Sequence, residues 1–174
     1  MQKIKGRVMY GYSSSVNTLH IIFNMRNCPL QSGRYTITAS SGPVSISDQN
    51  FVVVEEQQIF DVDRQGPPED CTYAIYPESA PGSLEQNDNW RIVAEVTANP
   101  QLWAICQYSN QANTYTITNT GMDPRLGWTD PGGRPGPNHQ LYLTVLDPDN
   151  VVPQQRYIIR PIRSGMRGNV QKKN

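Results

Sequence analysis

A chain of 174 residues is long enough to bury the core of one domain and short for two. Its fourteen prolines and thirteen glycines are spread along the chain, and no long stretch repeats apolar residues at helical spacing, so short strands with frequent turns are favoured. The formal net charge is zero, but residues 28–162 hold all fifteen acidic side chains against seven arginines and no lysine. Such an acidic centre disfavours nucleic acid as a partner.

Both ends of the chain are basic and contain no acidic residue. We predict a poorly ordered N-terminal extension at residues 1–27, one domain at residues 28–162 and a basic tail at residues 163–174. The best apolar run of the first segment, LHIIFNM, is interrupted by a histidine and an asparagine, so neither a secretory signal nor a membrane partner is expected. A second interpretation, in which the domain's own sequence begins at Met25, stays open.

The first predicted element in chain order is the strand GRYTIT at residues 33–38, in which apolar and polar side chains alternate. Two later strands repeat its tyrosine followed two places on by isoleucine, in CTYAIY at residues 71–76 and NTYTITNTG at residues 113–121. The three tyrosines are 38 and 42 residues apart, a spacing typical of repeat architectures.

A second marker recurs late in each unit. It consists of glutamine, any residue and an aromatic residue, in QIF at residues 58–60, QLW at 101–103 and QRY at 155–157. We expect its aromatic ring to lie in the core near a threefold axis and its amide to satisfy neighbouring backbone groups.

Between the two markers each unit has room for further strands. In the first unit GRYTITAS, PVSIS, NFVVVEE and QIFDVD make four, and the third unit again holds four. Three units of four strands are the plan of a β-trefoil, in which six strands close a barrel and six form capping hairpins. We therefore predict an all-β chain, a β-trefoil of three pseudo-repeats of about four strands each. The middle unit is the least regular, because residues 78–89 read as a loop.

The three cysteines, Cys28, Cys71 and Cys106, include no close pair. We expect neither a disulfide framework nor a CxxC metal site. No cofactor is indicated, and a reduced, cytoplasmic protein is the simplest interpretation.

The third unit, read as a whole, resembles the fungal β-trefoil protease inhibitors of the cospin type. Its segments NTYTITNTGMDPRLGWTDPGG, HQLYLTVL and PQQRYIIRPI carry the resemblance together with SGRYTIT near the start. Members of that group open on a Ser-Gly-x-Tyr strand, carry a Gly-Trp strand before an acidic Pro/Gly loop, and close on Gln-x-aromatic. The resemblance spans residues 30–162 and implies inhibition of serine proteases by a rigid surface loop, in fungal defence.

In that family the inhibitory loop generally joins the second and third strands of the first unit. Here the stretch is SISDQNF, with Asp48, Gln49 and Asn50 at its tip. The tip lacks the basic residue that a trypsin-like specificity pocket binds. The resemblance therefore leaves cysteine proteases and asparagine-selective proteases open as partners beside serine proteases, with Asn50 as the contact for an asparagine-selective enzyme.

Two further stretches present an arginine. Arg64 and Gln65 lie in the predicted connection from the first unit to the second, which resembles the reactive loop of plant Kunitz-type trefoil inhibitors. Arg125 and Leu126 follow Pro124, which stiffens the chain before the arginine. These residues complete the predicted protease-contact set.

The Gln-x-aromatic triplet is also similar to the Gln-x-Trp signature of ricin-type β-trefoil lectins. Lectins of that group bind a sugar with a carboxylate, a stacking aromatic ring and an amide. In the third unit Asp123, Trp128 and Tyr142 could supply such a site, so a glycan-binding lectin is the alternative function. For the triplets themselves, core packing is favoured over sugar contact.

The sequence gives little support to an enzyme. His139 lies in a loop rich in glycine and proline, so a catalytic set would have to rest on one exposed histidine. The carboxylate pairs Asp61 with Asp63 and Asp147 with Asp149 stand at predicted strand ends, where aspartate usually caps or bends the chain. We predict no catalytic residue and no metal site.

Overall fold

The computed structural model describes residues 28–67, 70–108, 111–121 and 125–162. The predicted N-terminal extension and the basic tail lie outside these residues. The described residues form twelve strands: β1 Gly33–Thr38, β2 Val44–Ile46, β3 Val52–Val54, β4 Ile59–Gln65, β5 Thr72–Pro77, β6 Ser83–Gln86, β7 Ile92–Glu95, β8 Trp103–Gln107, β9 Thr114–Asn119, β10 Leu126–Thr129, β11 Tyr142–Val145 and β12 Tyr157–Pro161. The prediction of an all-β chain is confirmed.

The only helix among the described residues is one 3-10 turn, Pro153–Gln155. No helix in this part of the chain has the length and apolar character needed to cross a membrane.

Six of the strands close into a barrel. Around the barrel the antiparallel neighbours are β1, β4, β5, β8, β9 and β12, and β12 pairs again with β1. The other six strands form the hairpins β2–β3, β6–β7 and β10–β11. Each consecutive set of four strands therefore gives its outer two to the barrel and its inner two to a hairpin. Closure leaves the barrel without an edge that could pair with another chain.

The two sequence markers meet inside the barrel. Each repeated tyrosine is the cross-strand partner of the triplet aromatic of its own unit: Tyr35 with Phe60, Tyr73 with Trp103, and Tyr115 with Tyr157. All six side chains are buried in one hydrophobic core. The predicted core position of the triplet aromatics is confirmed.

The triplet glutamines bind backbone groups, as predicted. Gln58 and Gln101 accept the N–H groups at the ends of β2 and β6, from Ile46 at 2.9 Å and from Gln86 at 2.6 Å. Gln155 donates instead to a carbonyl oxygen at the end of β11, at 3.2 Å. Each glutamine therefore ties the chain before a barrel strand to the hairpin of its own unit.

Three turns between hairpin strands are linked in a cycle. They are the Asn50 turn (Ser47–Phe51), the Trp90 turn (Asn87–Arg91) and the His139 turn (Gly136–Gln140). The carbonyl oxygens of Asn50, Trp90 and His139 accept the N–H groups of Ala94, Leu143 and Val54, at 2.8, 2.8 and 3.0 Å respectively. Each turn is thus held against the second strand of another hairpin.

The prediction of a loop throughout residues 78–89 is wrong. Ser83–Gln86 form β6 and pair with β7. Gly82, at φ +93°, makes this possible, because a Cβ atom there would collide with the backbone carbonyl of Glu95. The glycine that resembles a loop signal in the sequence permits a close approach of two strands.

The expectation that the chain has no disulfide is wrong. Cys28 and Cys71 are bonded, with Cα atoms 4.9 Å apart and a sequence separation of 43. The fold brings them together, because the Tyr73 hydroxyl of β5 donates to the Leu30 carbonyl oxygen at 3.0 Å and lies 3.3 Å from the Leu30 N–H. Cys106 is the free thiol.

Candidate functional site

The predicted inhibitory loop is a short turn with an exposed tip formed by Asp48, Gln49 and Asn50. Behind the tip the Ser47 N–H donates to the Phe51 carbonyl oxygen at 2.9 Å, and the Asn50 N–H donates to the Ser47 carbonyl oxygen at 2.9 Å. The Ser47 hydroxyl accepts the Phe51 N–H at 3.2 Å. The turn is therefore fixed before any partner binds, which lowers the entropy cost of binding.

The backbone divides the three tip residues into two kinds. Asn50 has a left-handed φ of +62°, which asparagine tolerates better than most residues. Its N–H and its carbonyl oxygen are both bonded within the protein, so Asn50 cannot pair with a protease cleft as an extended strand does. Asp48 and Gln49 do not have a left-handed backbone. They are the two central residues of the turn closed by the Asn50–Ser47 bond, and their exposed side chains are accessible to a partner.

Arg64 and Gln65 lie in a strand, so the prediction that they lie in a connecting loop is wrong. Both belong to β4 and pair with Tyr73 and Thr72 of β5. The Arg64 N–H also donates to the Ser32 hydroxyl at 3.0 Å. Because these bonds occupy the backbone, this pair is poorly suited to a substrate-like contact.

Leu126 is the first residue of β10, and Arg125 immediately precedes it. Arg125 is exposed, and its carbonyl oxygen accepts the Leu146 N–H at 2.9 Å. Leu126 is half-buried, and its N–H donates to the Asn119 side chain at 2.9 Å. Arg125 also lines a cavity of about 540 Å³ beside β8 and β9, together with Tyr108. Its backbone is thus anchored while its side chain is accessible to a partner.

The alternative sugar site is not assembled as predicted. Trp128 is fully buried and packs edge-on against Trp103 and Tyr157, with ring centroids 5.3 and 6.0 Å away. Its ring therefore cannot stack on a sugar at the surface. Tyr142 is half-buried, and the Arg91 guanidinium lies 5.5 Å from its ring centroid. Asp123 lies outside the described residues.

The Trp90 turn is a feature that the sequence interpretation missed. Its residues 88–91 are exposed, and Trp90 itself is 47% exposed. The signal in the sequence is an aromatic residue inside the polar run NDNWR, which otherwise has the composition of a turn. The corresponding run of the Asn50 turn, SDQNF, has asparagine where this one has tryptophan.

His139 is buried, so the prediction of an exposed histidine is wrong. It is 8% exposed, and its Nε2 atom lies 2.7 Å from an Asp130 carboxylate oxygen and 3.2 Å from the Ser41 hydroxyl. Its Nδ1 atom lies 3.0 Å from the Arg134 carbonyl oxygen. A catalytic serine and aspartate contact opposite ring nitrogens, whereas here both contact Nε2. The cluster therefore holds loops together and does not activate a nucleophile.

Asp130 is the centre of this cluster. Its buried carboxylate also accepts the Ser40 hydroxyl at 2.7 Å, the Ser41 N–H at 2.7 Å and the Gly132 N–H at 2.9 Å. Burial alone would raise the pKa of Asp130, but the hydrogen bonds from His139, Ser40, Ser41 and Gly132 outweigh burial and hold the pKa well below its usual range. The ionised carboxylate ties the turn between β1 and β2 to the His139 turn.

The fold and the exposed turns together define a β-barrel protein that presents short, preorganised turns at its surface. Within the described ranges no group of three histidine, cysteine, aspartate or glutamate side chains could hold a metal ion.

No protein-family model matches the chain, and no curated protein matches it. Among solved structures it is similar to a proteinase inhibitor from Coprinopsis cinerea, with 13% identity, a TM-score of 0.61, and coverage of 76% of this chain and 99% of that chain. It is similar to SeviL bound to asialo-GM1 saccharide, with 14% identity, a TM-score of 0.54, and coverage of 76% and 100%. A salivary protein from Culex quiquefasciatus, of the Cysteine and Tryptophan-Rich family, matches with 13% identity, a TM-score of 0.54, and coverage of 76% and 96%.

These similarities confirm, for the fold, the resemblance to the fungal β-trefoil inhibitors and more distantly to β-trefoil lectins. At 13% and 14% identity they establish the fold alone. Since an inhibitor and a saccharide-binding protein share the fold, the choice between these activities rests on the surface residues of this chain.

Proposed function

We propose that this chain is a β-trefoil of three pseudo-repeats, formed by residues 28–162 as one domain, and that it inhibits serine endopeptidases through rigid surface turns. The three sets of four strands, the matching tyrosine–aromatic pairs and the cycle of turns support the threefold plan. The similarity to the Coprinopsis cinerea proteinase inhibitor supports the class of activity.

The Asn50 turn is the observation that carries this proposal. Its tip is exposed, and its backbone is fixed by hydrogen bonds within the turn and by the bond from Ala94 to the Asn50 carbonyl oxygen. A loop held in this way loses little conformational freedom when a protease binds it. In the inhibitors that the sequence resembles, the corresponding loop generally makes the inhibitory contact.

The side chains at the tip favour a target other than a trypsin-like enzyme. Asp48 and Gln49 offer a carboxylate and an amide, whereas a trypsin-like pocket binds arginine or lysine. Arg125 is the accessible arginine of the predicted contact set, so a trypsin-like target would have to bind the start of β10 instead. Cysteine and asparagine-selective proteases stay alternative partners.

The test is a set of inhibition constants against serine, cysteine and asparagine-selective endopeptidases. We expect tight inhibition of a serine endopeptidase, weakened at least about tenfold when Asp48→Ala and Gln49→Ala are combined. The matched controls are Asp61→Ala and Gln111→Ala, which remove exposed residues of the same types elsewhere. If Arg125→Ala abolishes inhibition while the Asp48→Ala, Gln49→Ala double variant keeps it, the protease contact lies at the start of β10 instead. A wild-type protein that inhibits no protease would refute the proposal.

Glycan binding is the second candidate function. The similarity to SeviL bound to asialo-GM1 saccharide favours it, and Tyr142 remains partly accessible beside Arg91. Retention of the wild-type protein on immobilised glycans, lost in Tyr142→Ala, would support this function in place of inhibition. The burial of Trp128 removes the stacking residue predicted for that site.

Two further expectations stay proposals. We propose that the chain is not an enzyme, since the Ser41, His139 and Asp130 side chains do not have a catalytic arrangement. The cytoplasmic location stays a prediction, and the Cys28–Cys71 disulfide is more typical of oxidising compartments.

A further inference from the structure

Trp90 is the one tryptophan of this chain that does not lie in the core. It is 47% exposed, whereas Trp103 and Trp128 are fully buried. About half of the surface of Trp90 is left open to solvent, so packing within the fold accounts for only part of this residue.

The backbone of the Trp90 turn makes tryptophan a costly choice there. Trp90 has a left-handed φ of +58°. This conformation is an outlier for a bulky residue, while asparagine, which occupies the same place in the Asn50 turn, tolerates it. A strained residue that the fold does not require points to a function of the side chain.

Hydrogen bonds hold the backbone from which that side chain projects. The Asn87 N–H donates to the Arg91 carbonyl oxygen at 3.0 Å, and the Asn87 side chain accepts the N–H groups of Asn89 and Arg91, each at 3.0 Å. The neighbouring Arg91 guanidinium lies over the Tyr142 ring, 5.5 Å from its centroid, so that side chain is also held in place.

The indole is the only part of Trp90 that can meet a partner. The backbone N–H of Trp90 donates to the Asn87 carbonyl oxygen at 3.0 Å, and the Trp90 carbonyl oxygen accepts the Leu143 N–H at 2.8 Å. With both backbone groups bonded, Trp90 cannot be threaded through a protease cleft as an extended strand. It can act as an anchor that fills an apolar pocket of a concave protein surface, a role in which tryptophan is enriched.

The Trp90 turn lies close enough to the Asn50 turn to share a partner with it. The Asn50 carbonyl oxygen is bound by Ala94, four residues after Trp90 in the same hairpin, and Phe51 forms a backbone bridge to Val93. At about 3.3 Å for each strand residue the two tips are separated by an estimated 10–15 Å. An interface of ordinary size, about 800 Å² on each partner, covers both.

We propose that Trp90 is a second contact of the inhibitor with its target protease, inserted in an apolar pocket beside the cleft that receives the Asn50 turn. This proposal rests on the proposed inhibitory function. It assigns the affinity for the protease partly to an aromatic anchor outside the substrate path, which adds to the contacts of a tip that carries no basic residue.

The test measures association and dissociation rates of the full chain with a protease that the wild-type protein inhibits. We expect Trp90→Ala and Trp90→Gly each to raise the dissociation constant about 30-fold, mostly through faster dissociation. Val96→Ala is the matched control, because Val96 is an exposed apolar residue (74%) beyond the other end of β7, and it should change the constant less than about twofold. Thermal unfolding of each variant shows whether it is folded, and glycine suits the left-handed backbone.

The outcomes separate this inference from the function on which it rests. A wild-type protein that inhibits no protease overturns both. Inhibition with wild-type kinetics in folded Trp90→Ala and Trp90→Gly overturns the Trp90 contact and leaves the inhibitory function standing. Retention on glycans that is lost in Trp90→Ala, with protease binding unchanged, overturns the choice of a protease as the partner of this turn.

Discussion

The Asn50 turn and the Trp90 turn have matching backbones and different tips. In each turn the first N–H donates to the fifth carbonyl oxygen, and the fourth N–H donates to the first carbonyl oxygen. In each the fourth residue is left-handed, and its carbonyl oxygen is bound by another hairpin. The Asn50 turn carries an acid and two amides at its tip, whereas the Trp90 turn carries an acid, an amide and an indole.

The His139 turn is the third member of this set, and the side chain of its fourth residue, His139, is buried instead of exposed. The His139 N–H donates to the Gly136 carbonyl oxygen at 2.9 Å, as in the other two turns, but the imidazole is buried against Asp130. His139 lacks the left-handed φ of Asn50 and Trp90, and the Gly136 N–H donates to the Val54 carbonyl oxygen instead of closing the turn on Gln140. The three turns therefore share their bond to another hairpin, while the full backbone match is limited to the two exposed turns. In this chain one turn serves cohesion and two present exposed tips.

The largest expected effect is the loss of stability when the disulfide is removed, and it should change neither of the two exposed turns. Replacing Cys28 and Cys71 together by serine removes a link with a sequence separation of 43, which in the chain-entropy account contributes about 4 kcal/mol to the free energy of unfolding. The link joins the chain before β1 to the start of β5 and involves no residue of either turn. Urea denaturation should show the loss, while the folded variant keeps wild-type inhibition. A loss below about 1 kcal/mol would contradict this.

The next largest effect should destabilise the Trp90 turn and leave the Asn50 turn unchanged. Gly82→Ala adds a Cβ atom that collides with the Glu95 carbonyl at a left-handed φ, so we expect a loss of about 3 kcal/mol in the free energy of unfolding. Gly121→Ala is the control, because φ is also positive there but nothing lies within 4 Å, and about 1 kcal/mol is expected.

Hydrogen exchange separates the turns in the Gly82→Ala variant. Amide protection should fall at Trp90 and Ile92, in the hairpin that Gly82 begins, and persist at Asn50. Equal losses of stability in the two glycine variants, or equal loss of protection in the two turns, would show that Gly82 does not support the Trp90 turn specifically.

The sequence predicted the barrel because barrel strands repeat a simple requirement. Tyr73 and Trp103 recur in register with their counterparts because each barrel strand needs an inward aromatic at the same height, and alternation makes such positions visible. The triplet glutamines were predictable for the same reason, since each precedes a barrel strand and satisfies a hairpin backbone group.

The candidate site was less predictable because its properties depend on contacts distant in sequence. The Cys28–Cys71 bond needs the barrel to bring the two residues together. Trp128 was placed at the surface because the alternation of β10 does not say which face points inward, and pairing with Leu143 of β11 decides this. The left-handed backbone at Trp90 leaves no trace in the composition of NDNWR, so the indole was overlooked.

The His139 turn, whose fourth side chain is buried, should make the stability of the protein depend on pH. Because hydrogen bonds depress the pKa of Asp130 in the folded state, its contribution to stability is present above the unfolded pKa of about 4 and is lost as the pH falls below that value. Asp130→Asn should lower the free energy of unfolding by about 2 kcal/mol at pH 7 and by less at pH 3. Denaturant titrations at several pH values measure this. Parallel pH profiles for the variant and the wild type would refute the role of Asp130.

The smallest effect tests directly whether the fourth residues of the Asn50 and Trp90 turns have the same left-handed backbone conformation. At a left-handed position glycine is unstrained and alanine is strained, so the glycine variant should be the more stable of the pair by about 1 kcal/mol. We expect this for Trp90→Gly against Trp90→Ala and for Asn50→Gly against Asn50→Ala. Comparing glycine with alanine at one position cancels the loss of the native side chain, which differs greatly between tryptophan and asparagine. At Gln49, whose φ is not positive, the order should reverse, and the same order at all three positions in urea denaturation would show that the effect does not come from the left-handed backbone.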